Sequence, residues 1–267
     1  MLTFNEYLKM VNDAIAEIPY PKTPGNLYEP IAYTMALGGK RIRPVLTLMA
    51  CDAFGGDAQK AIKAAVGLEM FHNFTLLHDD VMDKADVRRG QPTVHRRWND
   101  NVAILSGDTM LTMASQMMAQ VDADKLAPVM ELFNKTAIEI YEGQQYDMDF
   151  ECRSVVKEEE YLEMIRLKTS VLLGCACKLG AIIAGASEEN ADAIYNMGQY
   201  LGLAFQLQDD VLDVWGDEAT FGKAVGGDIM NNKKTILLIN AILRAQELDD
   251  DDATPTNCAA GLPTLMP

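Results

Sequence analysis

Residues 68–83 read LEMFHNFTLLHDDVMD and residues 197–213 read MGQYLGLAFQLQDDVLD, two apolar segments that close on one acidic spacing. Asp79-Asp80-x-x-Asp83 ends the first and Asp209-Asp210-x-x-Asp213 ends the second. Leu68–Leu77 and Met197–Leu207 carry apolar residues at helical spacing, so each is expected as a helix. Side chains three and four residues apart are neighbours on a helix. The outer aspartates of each cluster therefore project from one face on successive turns. Carboxylates held that close repel unless a cation lies between them. No Cys or His pair stands beside them, and hard oxygen donors suit Mg²⁺, which completes its shell with water and substrate phosphate. Asp79, Asp80, Asp83, Asp209, Asp210 and Asp213 are thus the candidate metal ligands. Two such clusters on facing helices would hold a diphosphate through several metal ions.

An acidic run is ordinarily a solvated helix face, and this chain has 39 acidic against 23 basic residues, a net charge of −16. A solvated face would be mixed on both sides. Here both clusters are apolar before and basic after. DVRRGQPT follows the first at residues 86–93; Lys223 and then Gly226-Gly227-Asp228 with Lys233-Lys234-Thr235 follow the second. GGKRIRP lies upstream at residues 38–44, and RLKTS lies between the clusters at residues 166–170. Arg suits forked phosphate contacts, Lys acts as a point charge, and glycine lets backbone approach an anion. Surface ion pairing accounts for any one of these scarce cations, but not for four separate Lys/Arg groups spread along the chain. A polyanionic substrate does.

In combination these motifs resemble the trans-isoprenyl diphosphate synthases, the family of farnesyl and geranylgeranyl diphosphate synthases, from about Tyr28 to Asn240. Gly38-Gly39-Lys40-Arg41-x-Arg43-Pro44 is similar to the family's isopentenyl diphosphate site. Glu69-Met-Phe-His72, His78-Asp79-Asp80-x-x-Asp83 and Arg88-Arg89-Gly90 resemble its first aspartate-rich motif. Lys168-Thr169, Phe205-Gln206, the second cluster, Lys223 and Lys233 resemble the remaining half of the site. Gly107-Asp108, Gly143-Gln144 and Asp147 match family positions whose roles the sequence does not separate from packing.

The resemblance implies head-to-tail prenyl transfer. Asp79, Asp83, Arg88, Lys168 and Asp209 would be catalytic, with Mg²⁺, expected as three ions, bound together with the allylic diphosphate. Lys40, Arg43, His72 and Arg89 would hold isopentenyl diphosphate. Thr169, Gln206, Lys223 and Lys233 would join Arg88 and Lys168 around the substrates. A buried structural histidine is the competing reading for His72, and His78 is given no chemical role. The side chains one to two turns before Asp79, namely Thr75, Phe74 and Phe71, are the expected floor of the tail pocket. A bulky residue at Phe74 suggests a product of fifteen to twenty carbons; a longer-chain synthase is the alternative. A terpene cyclase is disfavoured, since it does not need the second diphosphate site that Lys40, Arg43 and Arg89 imply. A non-catalytic diphosphate-binding subunit also stays open.

Apolar patterns at helical spacing over Val45–Phe54, Asn101–Met118 and Pro128–Tyr146, divided by Gly and Pro clusters, predict a single-domain all-α bundle around a central cavity. No alternating strand pattern is evident. The expected domain covers residues 1–248, with an irregular tail over 249–267 in place of the helices usual in the family. Its loss would put closure over the diphosphates and the usual homodimer in doubt. The apolar segment Val171–Ala186 is interrupted by Lys178, which would cost about 3 kcal/mol at a bilayer centre; it is expected to be a buried core helix and not a transmembrane span. Five cysteines without metal spacing suit a reducing cytoplasm, and the negative charge excludes nucleic acid as a partner. Sixteen methionines are read chiefly as core filling.

Overall fold

The computed structural model describes residues 1–216, 226–230 and 233–247. Among them the chain is all-α apart from one small hairpin. The helices are α1 (Phe4–Ala16), α2 (Gly25–Ala36), α3 (Ile42–Ala53), α4 (Ala58–Met82), α5 (Val94–Arg97), α6 (Asp100–Met118), α7 (Leu126–Glu151), α8 (Glu158–Ile165), α9 (Val171–Ala184), α10 (Glu188–Trp215), α11 (Gly227–Met230) and α12 (Ile236–Glu247). Strands β1 (Val87–Arg88) and β2 (Gln91–Pro92) form the hairpin, and a π-helical turn, Arg166–Ser170, joins α8 to α9. The helices predicted from periodicity are present, most of them longer than their apolar stretch, while α9 ends at Ala184, two residues short of the expected Ala186. Polar end turns continue a helix once its apolar face is packed. Lys223 and the expected tail, 249–267, lie outside the described residues.

Two compact units divide the chain. The first comprises Met1–Lys135 and Leu173–Asn196. Its centre is α4, packed by α1, α2, α3 and α6. This helix buries residues around most of its circumference, among them Ala61, Ala65, Leu68, Met70, Phe71, Phe74 and Leu77. A helix apolar all round belongs in a core, and that burial fixes the rotation of its polar end. The Asp57 side chain caps its start by accepting from the Gln59 N–H at 2.9 Å. The same unit includes the buried stretch Leu173, Cys175, Ala176, Cys177 and Leu179 of α9.

The second unit comprises Thr136–Leu172 and Met197–Pro267. Phe150, Val156, Tyr161, Met164, Ile165 and Ile239 form its apolar cluster, with Leu203, Leu207 and Ile236 packed against it. The helical run Glu158–Ala184 is long and apolar enough to cross a membrane, but 67% of its most apolar stretch is buried in the protein. Lys178, the charge that interrupts it, pairs with Asp192. A buried core helix has this character.

The hairpin is the element that periodicity did not reveal. Strands of two residues have no alternation to detect. Its two central residues, Arg89 and Gly90, have φ of 53° and 74°. Positive φ at both positions is the turn that matches strand twist in two-residue hairpins, and Gly at the second adopts it without strain.

Candidate active site

In the first unit, α4 carries the acidic cluster at its C-terminal end. Asp79 and Asp80 lie in the last turn and Asp83 is the C-cap residue, its N–H donating to the Asp79 carbonyl at 2.8 Å. The neighbours Asp79 and Asp80 have different fates. Asp80 is 4% exposed and is gripped by Arg88, whose Nε donates to both carboxylate oxygens at 2.8 Å and whose Nη2 reaches Oδ1 at 2.7 Å. Burial raises the Asp80 pKa, and the guanidinium opposes that rise. Asp79 is half-buried and Asp83 exposed, so oxygen donors stand at the accessible end of the helix.

A second group gathers two turns earlier. Gly38 and Gly39, both at positive φ, turn the chain into α3, where Arg41 is the N-cap at a left-handed φ of 49°. The Arg41 guanidinium is buried, donating to Glu69 Oε1 at 2.7 Å and to the Met35 carbonyl at 2.6 Å. Glu69 Oε1 also accepts from Asn73 Nδ2 at 3.2 Å, and Asn73 Oδ1 accepts from Arg89 at 3.4 Å. Arg89 donates as well to the Gly38 carbonyl. Arg43 Nη1 donates to His72 Nε2 at 3.2 Å. Burial, with the charges of Arg43, Arg89, Arg88 and Arg41, holds the His72 pKa well below its ordinary value. The imidazole is therefore neutral and offers Nε2 as an acceptor. Lys40 is exposed on the same loop. Thus Lys40's loop, Arg43, His72 and Arg89 come together, and one hairpin sends Arg88 to the aspartates and Arg89 to the glycine loop.

His78 takes no part in either group. Its ring stacks edge-on to Phe74 at 4.7 Å and its Nε2 lies 3.2 Å from the Ile104 carbonyl, in the space left by Gly107. Phe74 is buried and also meets Phe71 at 5.6 Å; Thr75 donates to the His72 carbonyl at 2.8 Å.

The second unit repeats the arrangement with different partners. Asp209, Asp210 and Asp213 lie within α10. Asp210 is buried, accepting from the Tyr161 hydroxyl and from Gln206 Nε2 at 3.3 Å. Burial raises its pKa, against those two donors. Asp209 is half-buried and Asp213 buried. Lys168, on the π-helical turn, donates to Asp147 Oδ2 at 2.5 Å, and Lys233 donates to the same oxygen at 2.9 Å. Burial works to raise the Asp147 pKa, but Lys168 and Lys233 hold the carboxyl below its usual range. Thr169 Oγ1 donates to Gln206 Oε1 at 3.1 Å. The middle aspartate of each cluster is therefore tied to the protein, while oxygen-rich neighbours remain beside it. Among the described residues no three His, Cys, Asp or Glu groups by themselves form a preassembled metal cage.

Sequence reasoning placed Arg41 and Glu69 only within family motifs and Asp147 at a family position without a separate role, and it did not single out Asn73 or Tyr161. Glu69 and Asn73 did carry a signal: they are polar, four apart, in an otherwise apolar stretch of α4. Tyr161 carried none.

An all-helical chain that sets aspartate-rich helix ends beside grouped Arg and Lys is equipped to transfer groups activated by diphosphate, and this one is a trans-prenyltransferase. The polyprenyl synthetase family profile matches residues 24–255, and the chain belongs to that family. It is 42% identical over 260 residues to a geranylgeranyl diphosphate synthase of Methanosarcina mazei, covering 96% of this chain and 80% of that protein. A geranylfarnesyl diphosphate synthase of Natronomonas pharaonis is 36% identical over 283 residues, covering 97% and 82%. The crystal structure of geranylgeranyl pyrophosphate synthetase from Pyrococcus horikoshii matches with a TM-score of 0.86 and 41% identity, covering 94% of this chain and 77% of that one.

Proposed function

We propose that this prenyltransferase condenses isopentenyl diphosphate head-to-tail with an allylic diphosphate in a Mg²⁺-dependent reaction, giving a product of fifteen to twenty carbons. The observation that carries the reading lies in the first unit. The Gly38–Lys40 loop, Arg43, neutral His72 and Arg89 form a cation group distinct from the aspartates that Arg88 attends. A cyclase acting on one diphosphate has no use for that second group. Carbon counts follow the names of similar proteins, and the geranylfarnesyl synthase among them keeps the longer-chain alternative open.

Asp79, Asp83 and Asp209 would hold the ions on the allylic diphosphate, with Asp80, Asp210 and Asp213 completing the two clusters. Bound Mg²⁺ supplies charge neutralisation to the departing diphosphate. Arg88, Lys168 and Lys223, the last outside the described residues, would donate to the diphosphate oxygens, and Thr169, Gln206 and Lys233 are assigned to the same substrate. Lys40, Arg43, His72 and Arg89 hold isopentenyl diphosphate so that its double bond meets the allylic carbon, and the departing diphosphate takes the released proton. Incubating the chain with Mg²⁺, geranyl diphosphate and labelled isopentenyl diphosphate tests this. Extended prenyl diphosphates are expected. Hydrocarbon from geranyl diphosphate alone, or binding without turnover, would overturn it in favour of a cyclase or a regulatory subunit.

Residues 1–248 act as one synthase domain in this reading, supported by the span of the family match. A homodimer is proposed from the exposed apolar side chains Ile104 and Leu105 on α6, and a cytoplasmic location from the buried thiols of Cys51, Cys175 and Cys177. Phe74 is proposed as the floor of the tail pocket. Phe74→Ala is expected to shift products upward by one or more five-carbon units. Chromatography against the parent checks it, and unchanged lengths would remove Phe74 from the floor.

A further inference from the structure

Two helices of the second unit meet the π-helical turn in the same way. On α7, Gly143 abuts the turn so closely that a Cβ there would lie 2.4 Å from the Lys168 nitrogen. Four residues later on that face, Asp147 accepts from Lys168 Nζ. On α10, a Cβ at Gly202 would lie 2.5 Å from the Ser170 Cα. Four residues later, Gln206 accepts from Thr169 Oγ1. Each helix thus offers a bare glycine for backbone contact and, one turn on, a polar side chain that catches what the turn presents. The turn itself is closed by the Val171 N–H donating to the Arg166 carbonyl, five residues back. Such single π turns insert one extra residue and re-aim the side chains that follow.

The catch on α7 does more than hold one residue. Asp147 takes Lys233, from a separate segment, on the same oxygen as Lys168. The Asp147 side chain is 11% exposed, whereas the lysines keep 27% and 23%. One shielded carboxylate therefore holds two ammonium groups that would otherwise repel, while both lysine side chains stay partly exposed. Each ammonium has three donors, so neither lysine is exhausted by Asp147, although Lys233 also reaches Glu151 Oε1 at 3.5 Å. A purely structural ion pair needs only one lysine and gains nothing from leaving both partly exposed.

We propose that Asp147 is a positioning residue: with Gly143 seating the π turn, it gathers Lys168 and Lys233 into a paired cation aimed at the allylic diphosphate. This rests on the reading above, in which both lysines serve that substrate. Neither carboxylate oxygen of Asp147 touches substrate in this account. Its effect passes through the lysines.

The test uses the full chain and a cycle of variants: Asp147→Asn, Lys168→Ala with Lys233→Ala, and all three together. Binding of geranyl diphosphate with Mg²⁺ is followed by calorimetry, and KM is measured separately for geranyl and isopentenyl diphosphates. Asp147→Asn is expected to weaken geranyl diphosphate binding on the order of tenfold, the scale at which outer partners of ligand groups act elsewhere. KM for isopentenyl diphosphate should stay at the parent value. In the double-alanine background, Asp147→Asn should add nothing. Unchanged binding in Asp147→Asn, or the same loss with and without the lysines, overturns the inference. If the double-alanine variant itself binds and turns over like the parent, the assignment of the lysines to the diphosphate fails first. Should Asp147→Asn not fold, Asp147→Glu keeps the charge and displaces it by one methylene. It is expected to raise KM for geranyl diphosphate alone, and a parental value would overturn the positioning role.

Discussion

Turnover in Asp79→Ala is expected to fall by about 10³-fold, on the order of 4 kcal/mol in the barrier. The reason is where the lost charge acts. Departure of diphosphate builds negative charge on the leaving oxygens, and the ions that meet it must themselves be held by carboxylate. Asp79 is half-buried at the accessible end of α4, beside but separate from the Asp80–Arg88 grip. Its removal should leave the helix and the hairpin intact. Thermal unfolding near the parental temperature and unchanged isopentenyl diphosphate binding, through Arg43, His72 and Arg89, would accompany the loss. Asp80→Asn should behave differently, giving a measurable loss of stability, because Asp80 is the buried partner of a forked guanidinium. Parental turnover in Asp79→Ala, assayed with Mg²⁺ and both diphosphates, would remove the first cluster from the mechanism.

The second large effect falls on folding. Arg41 and Glu69 form an ion pair at 2.7 Å with both side chains 3% exposed. Removing one partner strands the other charge in a low-dielectric site, at a cost of about 3–5 kcal/mol. Glu69→Ala should therefore lower the unfolding temperature by roughly 10 °C for a chain of this size. Replacing both partners, Arg41→Met with Glu69→Leu, should recover most of that stability, since two apolar side chains leave no stranded charge. It should not recover isopentenyl diphosphate binding. The pair anchors the left-handed Arg41 residue beside the Gly38-Gly39 loop, and through Asn73 it reaches Arg89. Calorimetric unfolding of the single and double variants, with KM for each diphosphate, separates the two roles. An unchanged unfolding temperature in Glu69→Ala would show that the pair contributes nothing to stability.

Much of this was legible before any fold was known, and for a definite reason. The i, i+3 and i+4 spacing of Asp79 and Asp83, or of Asp209 and Asp213, is local geometry that any helix imposes. The apolar runs before them announced those helices. The basic groups after each cluster, and their agreement with a known family, supplied the substrate class. The hairpin was not legible, because strands of two residues have no period. Nor was the π turn, which depends on Gly143 and Gly202 arriving from helices distant in sequence. Asp147 matched a family position in the sequence without a role that could be told from packing; the convergence of two lysines on one of its oxygens supplied one.

The chain by itself determined that aspartates would share a helix face, that cations would stand near them, and that diphosphate was the ligand to expect. It did not determine which of two adjacent aspartates is buried and which stays partly exposed. That choice depends on what packs against the helix end. Arg88 arrives on a hairpin to take Asp80, and Tyr161 and Gln206 take Asp210. Residues next to each other in sequence point about 100° apart around a helix, so tertiary neighbours alone decide their different chemistry.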